Sequence, residues 1–249
     1  MSGTWQTMIE ILNSKKPYEI YPLSEKAITI QFGTIISEEA WDKVNKLNQS
    51  LLNQPFSGLA SVVPAYASLS VFFEPVEVAK SSMNGTTVFD KVAEYLKILI
   101  SKAEDFIPSA RKIVEIPVCY GHELGPDLEY VALHNNLGIE DVIKLHTSAE
   151  YCVYMIGFIP GFAYLGGMPE GISTPRKQEP RKAVAAGSVG IAGNQTGIYP
   201  LQTPGGWQLI GQTPIKLFDS NRDVPALLQA GNIVKFKAIT DSEFRELSH

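Results

Sequence analysis

The chain has 249 residues, a formal net charge of −5, and 45% hydrophobic and 19% charged residues. Such values fit a globular protein with one large or two modest domains; they exclude a disordered chain and any global attraction to nucleic acid or anionic membrane. No apolar run reaches the roughly 18 residues of a membrane helix, and the start MSGTWQTMIEILNSKKPYEI lacks a signal peptide's basic head and apolar core, so a cytoplasmic protein is expected.

YEIYPL (18–23) and KAITIQF (26–32) predict two strands across a short polar turn. Ser37 is placed to cap a helix over about 38–53. Glu38 and Glu39 sit in its first turn, and Trp41, Val44, Leu47 and Leu51 recur at helical spacing. LASVVPAY follows Gly58, and SLSVFFE (68–74) alternates as a strand does. Thr87 with Asp90 resembles a capping box, opening a helix whose apolar stripe is Val88, Val92, Leu96, Leu99 and Ala103. The order ββαββα predicts an open sheet with both helices on one face. Pro108 and the polar SARK stretch predict a boundary near residue 108, giving an α/β sandwich domain over 1–108 and a second domain over 109–249.

The second domain opens with KIVEIPVCY, a strong strand. A short helix, DLEYVALHNN, starts at Asp127 and is expected to stop at Gly138; IEDVIKLH makes another. From Tyr151 the composition changes: 12 of the chain's 20 glycines lie between residues 157 and 211. CVYMIGF, GSVGIAG, GIYPLQ, WQLIGQT and NIVKFKAI are short candidate strands between Gly/Pro turns, which predicts a compact β-barrel or sandwich. The expected class is therefore α+β.

Cys119 and Cys152 read as reduced, buried thiols. His122, His134, His146 and His249 lack metal-site spacing, so no metal is expected. The glycines at 187, 190, 193 and 197 do not spell a dinucleotide fingerprint, and there is no phosphate loop; their expected use is tight turns and close backbone approach. Arg176 and Arg181 each follow a proline. Their guanidinium forks suit a carboxylate or phosphate, or else they belong to a solvated basic turn with Lys177 and Lys182. NQTGIYPLQTPGGWQ (194–208) gathers Gln195, Thr196, Tyr199, Thr203, Gly205, Gly206 and Trp207. That set suits a small cyclic amide, or else a turn pair with Trp207 plugging a barrel end. Asp127 is an acid/base candidate or a helix N-cap, the cap being favoured. The uncharged stretch GFIPGFAYLGG (157–167) is expected to cross one barrel end, with Phe158, Phe162 and Tyr164 as an apolar wall.

EIPVCYGHELGPDLE, IKLHTSAEYCVYMIGFIPGFAYLGG, TPRKQEPRKAVAAGSVGIAGNQTGIYPLQTPGGWQLIGQTPIKLFD and PALLQAGNIVKF resemble the B subunit of bacterial ATP-dependent 5-oxoprolinase. That family includes the Kip inhibitor of a sporulation sensor kinase and has been labelled allophanate hydrolase subunit 1. The resemblance runs from about Tyr18 to Phe236. It implies an N-terminal α/β domain, a C-terminal cyclophilin-like β-barrel, and A and C subunits as partners. With them such a chain opens the lactam 5-oxoproline to glutamate, with ATP bound mainly on another subunit. It implies, as alternatives, inhibition of a sensor histidine kinase or a carboxyltransferase role. Under the first reading Arg176 and Arg181 hold a carboxylate or phosphoryl group, and Gln195, Thr196 and backbone N–H groups near Gly205–Gly206 stabilise developing charge. Two positions depart from the family pattern: His122 stands for a glycine, and Ala163 for a proline, which should loosen its loop.

Overall fold

A computed structural model of the chain describes residues 17–35, 37–103 and 111–248. The boundary expected at residue 108, and most of the N-terminal segment read above for a signal, lie outside them. The described residues form two compact units.

The first unit contains β1 (Glu19–Ser24), β2 (Ala27–Gln31), α1 (Glu38–Asn53), β3 (Leu59–Pro64), β4 (Ser68–Phe73), α2 (Pro75–Lys80) and α3 (Val88–Ala103). Among the described residues the strands form a four-stranded antiparallel sheet in the order β1-β2-β4-β3. Alternation puts Ile28, Ile30, Leu69 and Val71 on one face. They share a core there with Val44 and Leu47 of α1 and with Val92 and Leu96 of α3. Both long helices cover the same face, as the ββαββα pattern predicts.

The helix starts follow from their caps. Ser37 Oγ accepts from the Ala40 N–H at 3.2 Å. The Thr87 N–H donates to the Asp90 carboxylate at 2.9 Å, and the Asp90 N–H donates back to Thr87 Oγ1 at 3.1 Å. The short α2 is absent from the predicted order. Pro75 starts it, where a missing N–H costs nothing. Lys91 of α3 closes it by donating to the carbonyls of Ala79 and Ser81.

The second unit runs β5 (Ile113–Tyr120), α4 (Leu128–His134), α5 (Ile139–Ser148), β6 (Glu150–Ile156), β7 (Ala163–Gly166), a 3₁₀ turn (Glu170–Ile172), β8 (Arg181–Val184), β9 (Ser188–Ala192), β10 (Gln195–Ile198), β11 (Thr203–Gly205), β12 (Gln208–Gln212), β13 (Ile233–Ala238) and α6 (Asp241–Leu247). Among the described residues, strands in the order β10-β7-β6-β13-β5-β12-β9 form a closed barrel, with β9 pairing back to β10. β13 and β5 are parallel; the other neighbours are antiparallel. β8 and β11 form a separate two-stranded ribbon. Cys119 and Cys152 are buried and not joined in a disulfide.

Several sequence expectations need correction. β7, β8 and β11 occupy segments that read as turns, because three or four residues are too few to show alternation. β7 takes up Ala163–Gly166 of GFIPGFAYLGG, so the second half of that stretch builds barrel wall, while residues 157–162 form the turn that joins β6 to β7. Ala163 is fully buried in β7 and paired with both Ile156 and Ile198, which fixes it despite the lost proline. β10 covers 195–198 instead of 197–202, since Pro200 cannot donate to a ladder. α4 is capped by Asn135, not stopped by Gly138; the Gly138 N–H instead donates to the Asp141 carboxylate at the start of α5. His122 holds a φ of 49°, the left-handed conformation that a glycine would accept more readily.

The barrel interior is packed by inward residues such as Ile116, Val153, Leu165, Ile191 and Val234, joined by Leu128 and Val131 of α4. A second, smaller core lies outside the barrel wall. It consists of Phe162, Val184, Ala192, Tyr199, Trp207 and Leu209.

Candidate functional site

Two glycines create the outer core. Gly190 of β9 and Gly197 of β10 are cross-strand partners, and alternation with the inward Ile191 and Ile198 turns both outward. A Cβ on Gly190 would stand 3.0 Å from Trp207 Cβ. One on Gly197 would stand 3.1 Å from Trp207 Cζ3 and 3.2 Å from Phe162 Cζ. The bare pair is thus the bed on which the indole and the Phe162 ring lie. Phe158, Tyr164, Tyr199 and Trp207 surround Phe162 edge-on, with centroids 4.9 to 5.5 Å away. Phe158 itself is 62% exposed, with a φ of 70°.

These rings, with Pro180, Pro204, Gly205 and Gly206, line a recess of about 290 Å³, at the small end of the range for small-molecule sites. Its charged lining is basic: Arg176 and Lys177. The Arg176 guanidinium carbon lies 5.8 Å from the Trp207 ring centroid, within cation–π reach.

Lys177 and the neighbouring Arg181 are both held by Asp127. Its carboxylate is 6% exposed by residue. Oδ1 accepts from Arg181 Nη2 at 2.7 Å and from Lys177 Nζ at 3.3 Å, and Oδ2 accepts from the Leu209 N–H at 2.7 Å. The Asp127 N–H returns a bond to the Leu209 carbonyl at 2.8 Å. Burial alone would raise the Asp127 pKa; the Arg181 hydrogen bond, the Leu209 N–H, the Arg181 charge and the Lys177 hydrogen bond outweigh it and hold the carboxyl below its ordinary value. Arg181 Nη1 also reaches the Trp207 carbonyl at 3.4 Å. The backbone of the cationic segment is tied too, through Lys177 N–H to the Gly206 carbonyl at 2.8 Å and Gln208 Nε2 to the Pro175 carbonyl at 2.9 Å.

A family model described as carboxyltransferase domain, subdomain C and D, matches residues 18–228. The chain is 47% identical over 228 residues to the 5-oxoprolinase B subunit of Bacillus subtilis (strain 168), covering 91% of this chain and 95% of that protein. It is 41% identical over 216 residues to the 5-oxoprolinase B subunit of Escherichia coli O157:H7, covering 87% and 94%. This chain belongs to the family of 5-oxoprolinase B subunits. Its fold is similar to the crystal structure of TTHA0988, with a TM-score of 0.72 and 36% identity; the match covers 86% of this chain and 40% of that one. The 5-oxoprolinase B-subunit fold thus spans less than half of that longer chain.

In this member of the B-subunit family, the recess gathers Phe158, Phe162, Tyr164, Arg176, Tyr199, Gly205, Gly206 and Trp207 from the sequence-derived candidates. It does not gather the rest. Arg181 already grips Asp127. Thr203 pairs with Val184 in the ribbon and is not among the lining residues. Gln195 lies at the β9–β10 hairpin opposite Ala192, also off the lining. Thr196 points into the barrel, fully buried.

Thr196 belongs to a different arrangement. Its hydroxyl donates to the Gly190 carbonyl at 3.0 Å, so it must accept from His146 Nε2–H, also at 3.0 Å. That tautomer leaves His146 Nδ1 to accept from the Tyr120 hydroxyl at 2.8 Å. The ring lies 4.4 Å from that of Phe236. Burial keeps His146 neutral, with its pKa lowered to about 3.

Asp127 as a hub is what sequence reasoning missed. Asp127 does occupy the N-cap position of α4, as favoured, but its side chain makes no cap bond; Arg181, Lys177 and the Leu209 N–H hold the carboxylate instead. Among the described residues no cluster of His, Cys, Asp and Glu could hold a metal ion, and no helix is long and apolar enough to cross a membrane.

Proposed function

We propose that this chain is the B subunit of an ATP-dependent 5-oxoprolinase complex, and that its recess holds the lactam acid. The observation that carries the site is the pairing of a small aromatic recess with Arg176 and Lys177 at its edge. A five-membered lactam matches the flat rings, and its carboxylate matches the cations. The relatives' shared name supplies the reaction and the existence of companion subunits. The A and C subunits are the companions.

A lactam resists hydrolysis because its nitrogen lone pair is delocalised into the carbonyl. Transfer of the ATP γ-phosphoryl to the amide oxygen, with departure of ADP, makes the ring carbon electrophilic. Water adds to that carbon. The C–N bond breaks with the proton going to nitrogen, and a second water hydrolyses the resulting acyl phosphate to glutamate and phosphate. The recess suits a small lactam, and the sequence carries no familiar phosphate loop for a nucleoside triphosphate. ATP is therefore assigned to another subunit, and this chain alone is inactive. Its part is to bind and orient the acid, with N–H groups near Gly205 and Gly206 facing the developing charge.

Co-expression with the A and C subunits, followed by ATP-dependent 5-oxoproline turnover, tests this. Arg176→Ala in the assembled complex should raise KM for 5-oxoproline about tenfold, the worth of one charge-assisted hydrogen bond. Unchanged kinetics would remove the recess from the reaction. A second reading, carboxyltransfer, draws on the matched family's description; turnover of 5-oxoproline without biotin argues against it. Binding of a sensor kinase with no turnover by the complex would favour the inhibitor reading.

A further inference from the structure

We propose that Asp127 is a positioning residue of the recess: its buried carboxylate braces Lys177 and Arg181 so that Lys177 and Arg176 stand as a fixed cation pair for the ligand's carboxylate. The inference rests on reading the recess as the 5-oxoproline site. Three segments beside the recess converge on this one residue. β12, which holds Trp207 at its entrance, is clamped to Asp127 through both the N–H and the carbonyl of Leu209. The first residue of β8, Arg181, is held through its guanidinium at 2.7 Å and passes the restraint to the Trp207 carbonyl. The segment leading into β8 bears Arg176 and is held by the Lys177 ammonium at 3.3 Å.

The charges decide why a carboxylate is needed there. Lys177 and Arg181 meet at Asp127 Oδ1, and Arg176 precedes Lys177 along the recess wall; like charges so placed repel one another. One buried anion behind the wall relieves that repulsion and leaves a positive excess facing the recess. Glu179, on the same segment, is exposed and is not among the lining residues. Lys177 is the pivot: one of its atoms faces Asp127, and the residue also lines the recess. Long cationic side chains lose rotamer entropy on binding an anion; holding Lys177 beforehand removes part of that cost.

The test uses the assembled complex with L-5-oxoproline as substrate. Asp127→Asn keeps an acceptor for the Leu209 N–H but removes the charge. It should raise KM about tenfold while kcat stays within about twofold, the pattern of lost binding rather than lost chemistry. Lys177→Met should raise KM by a similar factor, and Lys177→Arg should restore most of it. In the Asp127→Asn/Lys177→Met double variant the KM should match either single variant, because both remove the same braced cation. If Asp127→Asn shows no cooperative melt, Asp127→Glu, which displaces the charge by one methylene, replaces it with the same expected rise. Unchanged KM in a folded Asp127 variant, or multiplicative effects in the double variant, overturns the bracing role. If Arg176→Ala is also silent, the recess reading fails; if Arg176→Ala raises KM while Asp127→Asn does not, only the bracing fails.

Discussion

His146 shows how much a single buried side chain can hold. It joins Tyr120 to Thr196 through both ring nitrogens, and Thr196 passes the chain on to the Gly190 carbonyl. The unfolded chain accepts a proton on this ring near pH 6.5, whereas the folded one does so only near pH 3. In that window unfolding takes up a proton, so stability rises with pH and falls as the solution is acidified from 6.5 towards 3, by at most about 1.4 kcal/mol per pH unit from this group. Denaturant unfolding at pH 7, 6, 5 and 4 should show a steeper loss for the native chain than for His146→Gln. Parallel slopes would mean the ring is not held neutral. The helical spacing of Val142 and His146 was the available signal for its burial. Asp127 carried no such signal: its partners lie 50, 54 and 82 residues away in sequence, and only the folded second unit, barrel and ribbon together, brings them to it.

Elements differ in how openly their sequence declares them. α1 and α3 were legible because each has a cap residue and a long apolar stripe. The ribbon β8–β11 was not, since its strands are held by pairing and by Val184 entering the outer core rather than by any periodicity of their own. The paired glycines of β9 and β10 were visible as glycines, but their partner Trp207 was not. Gly197→Ala should cost about 1–3 kcal/mol, because the Ala163 carbonyl, also 3.1 Å from the added methyl, is backbone and cannot rotate away. A urea melt measures that loss, and a wild-type midpoint would show that the indole has room to move. At the other unit's first helix, Ser37→Ala should cost about 1 kcal/mol by leaving the Ala40 N–H without its acceptor.

At the scale of the molecule, each of two compact units has its own main hydrophobic core. We expect scanning calorimetry to resolve two transitions. Leu96→Ala empties a fully buried site in the first core and should lower one transition, by about 2–5 kcal/mol in stability, while the other stays put. Equal shifts in both would show that the units melt as one. The overall class was readable from the break in composition at residue 151, where glycine-rich short strands replace long helical stripes. The order of the barrel was not, because its closing contact is remote: Ile113 pairs with Ile233, in parallel. β13 is inserted between β5 and β6. Until it is synthesised, the remaining strands amount to an open sheet with β5 and β6 as raw margins. A nascent chain still on the ribosome therefore passes through a stage in which two strand edges invite intermolecular pairing, and β13, made after the other barrel strands described, is the one that ends that exposure.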